Sequence, residues 1–149
     1  MCLRSCPCVL VCVRDGSGHK AALAEAGKLA TAKGALKAQE VAVSGAFHTS
    51  LMSSASDALA TVLATVTFQT PRIPVYSNVT AQPFPDDPAA IPPLLQRQLC
   101  EPVKWEATVK GMIGKGKTQL HELGPGQQIK AMVKRIDNAC WRAFKNVPV

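Results

Sequence analysis

The sequence predicts an α/β chain whose strands pair in parallel, and three observations carry that expectation. Segments with the two-residue alternation of strands take turns with segments whose apolar residues recur at helical spacing. That order builds layered α/β sheets. The 149 residues are enough to bury one core. They are 47% hydrophobic and 18% charged, too little charge for disorder. With aromatic residues at 5%, Ala, Val, Leu and Ile must fill the interior.

Residues 1–12 stand apart in composition and hold four of the six cysteines, Cys2, Cys6, Cys8 and Cys12. Their C-x3-C-x-C-x3-C spacing matches no usual zinc pattern, and no histidine precedes His19. The N-terminus reads neither as a secretory signal nor as an organelle transit peptide, so reduced thiols in an intracellular compartment are expected. A short strand over 9–13 leads to a turn at 14–18. A helix follows over 19–33, with Ala22, Ala26, Leu29 and Ala30 on one face and Gly34 to end it. Alternation over 37–44 predicts a strand.

Residues 50–66 read as a helix striped by Leu51, Ala55, Leu59, Val62 and Val66, capped by Thr49 or Ser50. Pro71 and Pro74 impose an extended path, and Ile73, Val75, Tyr76 and Val79 suggest a strand ending at Ser77-Asn78. Five prolines make 81–93 a surface loop. A short helix over 94–99 is stopped by Pro102, and another over 105–113 ends at Gly114-Lys115-Gly116. A strand over 118–123, a tight turn at Gly124-Pro125-Gly126, a helix over 127–136 and an edge strand over 140–147 complete the chain. The pattern begins in mid-topology, with no clear first strand and helix.

The net charge of +7 attracts polyanions. The lysines and arginines are spread along the chain, however, and a single Tyr offers no stacking platform, so nucleic acid is not an expected partner. A phosphorylated small molecule, an acidic protein or a plain solvated surface all fit. No stretch approaches the roughly 20 apolar residues of a membrane span.

Chemistry concentrates at Gly45-Ala46-Phe47-His48-Thr49-Ser50, between a predicted strand and a predicted helix. Such junctions open into the crevice of α/β folds. An imidazole there can take and return a proton near neutrality, although a locally bonded loop histidine has the same sequence signature. His19 reads as solvated and His121 as a packing residue in a strand. No pair has metal-ligand spacing, so no metal site is expected. Gly124-Pro125-Gly126 before a helix could cradle a phosphate, but a plain strand-to-helix turn suffices. Ser44, Ser50 and Ser53 lie near His48, yet G-x-S-x-G occurs nowhere, and caps or surface positions explain them.

Taken together, four segments resemble the malonyl-CoA:acyl carrier protein transacylases and the related acyltransferase domains. They are V-S-G-A-F-H-T-S-L-M at 43–52, T-P-R-I-P-V-Y-S-N-V at 70–79, L-L-Q-R-Q-L-C-E-P-V-K-W at 94–105 and E-L-G-P-G-Q-Q-I at 122–129. The likeness runs over about residues 13–149, in the family's order. It implies the C-terminal part of such an enzyme: a partial hydrolase-like parallel-sheet core over 44–149, with a remnant of a ferredoxin-like small subdomain over 13–43.

The resemblance further implies malonyl transfer from coenzyme A to the phosphopantetheine thiol of acyl carrier protein through an acyl-serine. His48 would be general base and acid, and the backbone carbonyl of Gln98 would orient its ring. Phe47 would favour malonyl, while Asn78, Gly124 and Gly126 would shape the pocket floor. Malonyl-CoA and acyl carrier protein are the implied partners, with no cofactor. The family's G-H-S-x-G elbow, its G-Q-G-x-Q loop and the arginine for the malonyl carboxylate are absent from these residues. The chain alone is therefore expected to be inactive, its serine belonging to a missing N-terminal half of the domain. A non-catalytic module binding acyl carrier protein or coenzyme A is the alternative. The compartment implied is the mitochondrion or plastid of a eukaryote, otherwise the cytoplasm.

Overall fold

The computed structural model describes residues 16–40, 43–125 and 128–148. The chain divides into two compact units, Met1–Ala46 and Phe47–Val149.

In the first unit, helix α1 spans Lys20–Ala32. Its end is set by Gly34, whose φ of 86° only glycine adopts without penalty. The Ala35 amide then reaches back to Ala30 O at 2.9 Å and the Gly34 amide to Thr31 O at 3.0 Å, the paired bonds of a Schellman cap. The strand expected over 37–44 does not form at 37–40 or 43–44. A strand needs a neighbour to take its backbone groups, and the described residues of this unit contain none. The strand expected over 9–13 and the four early cysteines lie outside the described residues.

The second unit opens with a 3-10 turn, Ser50–Met52, that runs into helix α2, Ser53–Leu63. Thr49 caps it, its hydroxyl accepting from the Leu51 amide at 3.3 Å. The helix is shorter than its apolar stripe, and Val62 and Val66 remain exposed. The strand expected across 73–79 reduces to one antiparallel bridge, Tyr76 to Pro83, because the chain reverses through a turn with Ala81 at φ 59°. A second 3-10 turn, Pro88–Ala90, leads into helix α3, Ile91–Arg97. This helix starts earlier than expected: Pro92 and Pro93 fall in its first turn, where a missing N–H has no partner to lose.

Helix α4, Trp105–Gly114, stops where Gly116 takes φ 80°. Strand β1 is short, His121–Leu123, and helix α5 covers Gln128–Ile136. The edge strand expected over 140–147 is mostly helix: α6 spans Asn138–Ala143, and only Lys145–Val147 forms strand β2. The cap decides this, since Asp137 Oδ1 accepts from the Cys140 amide at 2.7 Å. β1 and β2 pair in parallel, His121 with Lys145, Glu122 with Asn146 and Leu123 with Val147. The core is Val109, Val133, Cys140 and Phe144, packed by Trp105, Ile129, Ile136 and Trp141 among others. Mixed α/β architecture with a parallel pair therefore holds.

Candidate active site

The site begins with an accident of sequence at the end of α3. In a continuing helix, Gln98 C=O would accept from the amide of residue 102, but residue 102 is proline and has none. The chain makes one more turn, with the Cys100 and Glu101 amides returning to Arg97 O at 3.1 and 2.9 Å. The carbonyls of Gln98, Leu99 and Glu101 are left over.

His48, from a turn some 50 residues earlier, takes all three. Its backbone amide donates to Leu99 O at 2.7 Å. Its ring Nδ1 lies 2.9 Å from Gln98 O and 3.1 Å from Glu101 O. A carbonyl can only accept, so Nδ1 carries the proton and Nε2 is the accepting nitrogen of the neutral ring. His48 also sits at φ 65°, a left-handed conformation costing roughly 1–2 kcal/mol for a residue with a Cβ. Three anchoring bonds hold it there. The histidine therefore acts as a C-terminal cap of α3, half-buried and with its tautomer set by the backbone.

Arg97 and Glu101 bracket the same turn. Arg97 Nε is 2.6 Å from Glu101 Oε1, and Nη2 is 3.1 Å from Oε2. The hydrogen bonds that Arg97 donates to Glu101 hold the carboxyl below its ordinary range and raise the guanidinium above its own. Ser56, buried on α2, donates to Gln96 O at 3.3 Å and ties α2 to α3 beside this turn. Next to it a pocket of about 280 Å³ is lined by Leu59, Leu63, Leu95, Gln98 and Leu99.

The other expected site residues are placed as follows. Phe47 precedes the histidine and is 37% exposed. Asn78 is half-buried, its carbonyl accepting from the Lys104 amide at 2.8 Å, just beyond Glu101. Gly124 ends β1 at φ 124°, its amide bonded to Val147 O at 3.1 Å. Gly126 lies outside the described residues. His19 is an exposed helix-start residue. His121 is a correction: its side chain is exposed, and the inward residue of β1 is Glu122. Ser44 and Ser50 are exposed, and Ser53 is the first residue of α2. Sequence reading missed Leu99 and Glu101 as partners of His48 and Arg97 as the partner of Glu101, although Pro102 is a signal for the free carbonyls. Among the described residues no His, Cys, Asp and Glu cluster could hold a metal ion, and no helix is long and apolar enough to cross a membrane.

No family model matches the chain. The malonyl CoA-acyl carrier protein transacylase of Salmonella typhimurium is 39% identical over 132 residues, 89% of this chain and 42% of that protein. The human mitochondrial transacylase is 37% identical over 137 residues, 89% of this chain and 35% of its own. The acyl-carrier-protein S-malonyltransferase of Burkholderia pseudomallei superposes with TM-score 0.80 at 38% identity, over 86% of this chain and 41% of that one.

The chain belongs to the malonyl-CoA–acyl carrier protein transacylase family. It spans about two-fifths of the length of the first relatives it matches, corresponding to their C-terminal part. Another member of the family, solved in complex with a type II PKS acyl-carrier protein, superposes with TM-score 0.79 at 38% identity, over 89% of this chain and 41% of its own. The ordered segments at 43–52, 70–79, 94–105 and 122–129 thus mark a true relationship.

Proposed function

We propose that this chain carries the acid–base part of a malonyl transfer site, which a serine outside these 149 residues completes. One observation carries the reading: a histidine whose Nδ1 proton is committed to the Gln98 and Glu101 carbonyls, which makes Nε2 its basic nitrogen. Backbone carbonyls here do what a carboxylate does in a Ser-His-Asp triad, fixing tautomer and orientation. Nε2 takes the proton as the serine oxygen attacks the malonyl thioester carbonyl. It returns that proton to the coenzyme A sulfur as the tetrahedral intermediate collapses to acyl-serine. The phosphopantetheine thiol of acyl carrier protein then gives its proton to Nε2, attacks the ester, and the serine leaves with the proton restored. The carbonyl dipoles facing Nδ1 meet the positive charge the ring gains in each half-reaction.

In this reading Phe47 crowds an α-substituted acyl group, and Asn78, Gly124 and Gly126 shape the floor of the pocket. No cofactor is required, since the thioester supplies its own leaving group. The partners are malonyl-CoA, acyl carrier protein and the rest of the domain, and the family's role is in fatty acid biosynthesis. The architecture proposed is a hydrolase-like core over 44–149 with part of a ferredoxin-like subdomain over 13–43. Human and mouse relatives are named mitochondrial, which supports an intracellular site of action. By itself the chain lacks G-H-S-x-G, and loss of the nucleophile of such a unit costs on the order of a million-fold in rate.

A chimaera tests this. This chain replaces the 132 matched residues of the Salmonella protein, and malonyl transfer to phosphopantetheinylated acyl carrier protein is measured. The chimaera should transfer, His48→Ala should abolish the reaction, and the 149-residue chain alone should stay at background. Undiminished transfer by the folded His48→Ala chimaera would sink the assignment. Carrier-protein binding by the chain, with an inactive chimaera, would instead support the non-catalytic module.

A further inference from the structure

The three carbonyls that hold His48 all belong to residues 98–101, a single turn past the end of α3 with a proline behind it. A helix end of this kind frays, because its last carbonyls have no amides to bind. One side-chain interaction spans that turn from its first residue to its last: the two-pronged contact of Arg97 with Glu101, at 2.6 and 3.1 Å. Such a fork constrains both distance and angle, which a single-point contact does not. We propose that the Arg97–Glu101 ion pair is a positioning pair for His48, closing the 97–101 turn so that its carbonyls converge on the imidazole.

The proposal deepens the reading of His48 as the proton carrier and rests on it for its catalytic meaning. The side chains of Arg97 and Glu101 bind each other, and the pair acts on the ring through the backbone between them. Glu101 contributes twice, its carboxylate to the fork and its carbonyl to Nδ1. The pair is half exposed, at 48% and 38%, so its effect is modest and salt-dependent.

The test uses the full 149-residue chain, 15N-labelled, in three variants: Glu101→Gln, Arg97→Gln and the exchange Arg97→Glu with Glu101→Arg. The readouts are hydrogen exchange at the His48 backbone amide and the ring signals that report the proton on Nδ1. Either single variant should speed His48 amide exchange about twofold, the population change an exposed i,i+4 pair of ordinary strength produces. It should also lower the Nδ1–H population, while the Leu95 and Gln96 amides of α3 keep their rates. The exchanged pair should recover the loss, and wild type at about 1 M salt should resemble the single variants. Unchanged His48 exchange in both single variants overturns the proposal. So does an acceleration shared equally by Leu95 and Gln96, which would mean general loss of the helix. Because the measurement involves no acyl transfer, its outcome stands apart from the chimaera assay, and either conclusion can fail without the other.

Discussion

Glu122 offers the sharpest quantitative test of how the β1–α5 junction is held. It is a carboxylate on the inward face of β1, 8% exposed, in a place where the period-2 pattern calls for an apolar residue. Its partners explain it. The first amides of α5 have no intrahelical acceptor. Glu122 supplies the cap from the strand instead, Oε1 accepting from the Ile129 amide at 3.1 Å and Oε2 from the Lys130 amide at 3.3 Å. Two bonds to one charged acceptor, together replacing an N-cap, set the cost of Glu122→Ala at about 2–3 kcal/mol. Glu122→Gln keeps one acceptor oxygen and loses the charge, for about 1 kcal/mol. Urea unfolding measures both, followed by the fluorescence of Trp105 and Trp141, which pack on the core beside Val133. The midpoint should fall in the order wild type, Gln, Ala at constant slope. An alanine variant within about 0.3 kcal/mol of wild type would refute the capping argument, since it would mean water serves those amides equally well.

Two further outcomes follow from local geometry. His48→Gly and His48→Ala both remove the ring, but only alanine keeps a Cβ at φ 65°. The glycine variant should therefore be more stable by about 1 kcal/mol in chemical unfolding, and equal stabilities would show that the left-handed strain is not stored there. Asp137 caps α6, and its carboxyl is lowered from 3.8 first by the bond from the Cys140 amide. A depressed folded value means stability is fully present above the unfolded value and is lost as pH falls through the folded one. Wild type should lose stability below about pH 4 more steeply than Asp137→Asn, and parallel pH curves would contradict the assignment.

How much was legible depended on how locally each feature is determined. The end of α1 at Gly34 and of α4 before Gly116 follow from glycines, which take positive φ without steric cost. Thr49 as a cap and the span of α4 follow from signals within one turn. The strands were less legible. Residues 37–40 alternate correctly yet pair with nothing described, and 140–143 became helix because Asp137 sits at the cap. Prolines misled in the opposite direction at 92–93, where they begin a helix rather than prevent one.

The sequence by itself pointed to the family, singled out His48 as a candidate, and, through Pro102, left carbonyls near residue 98 without amide partners. Only the tertiary structure decided which group would take them. The bonds from His48 to Gln98, Leu99 and Glu101 cross about 50 residues of chain, and so does the tautomer they impose. Propensity and capping act over a few residues, whereas an imidazole's proton is set by whatever the fold brings within 3 Å of it.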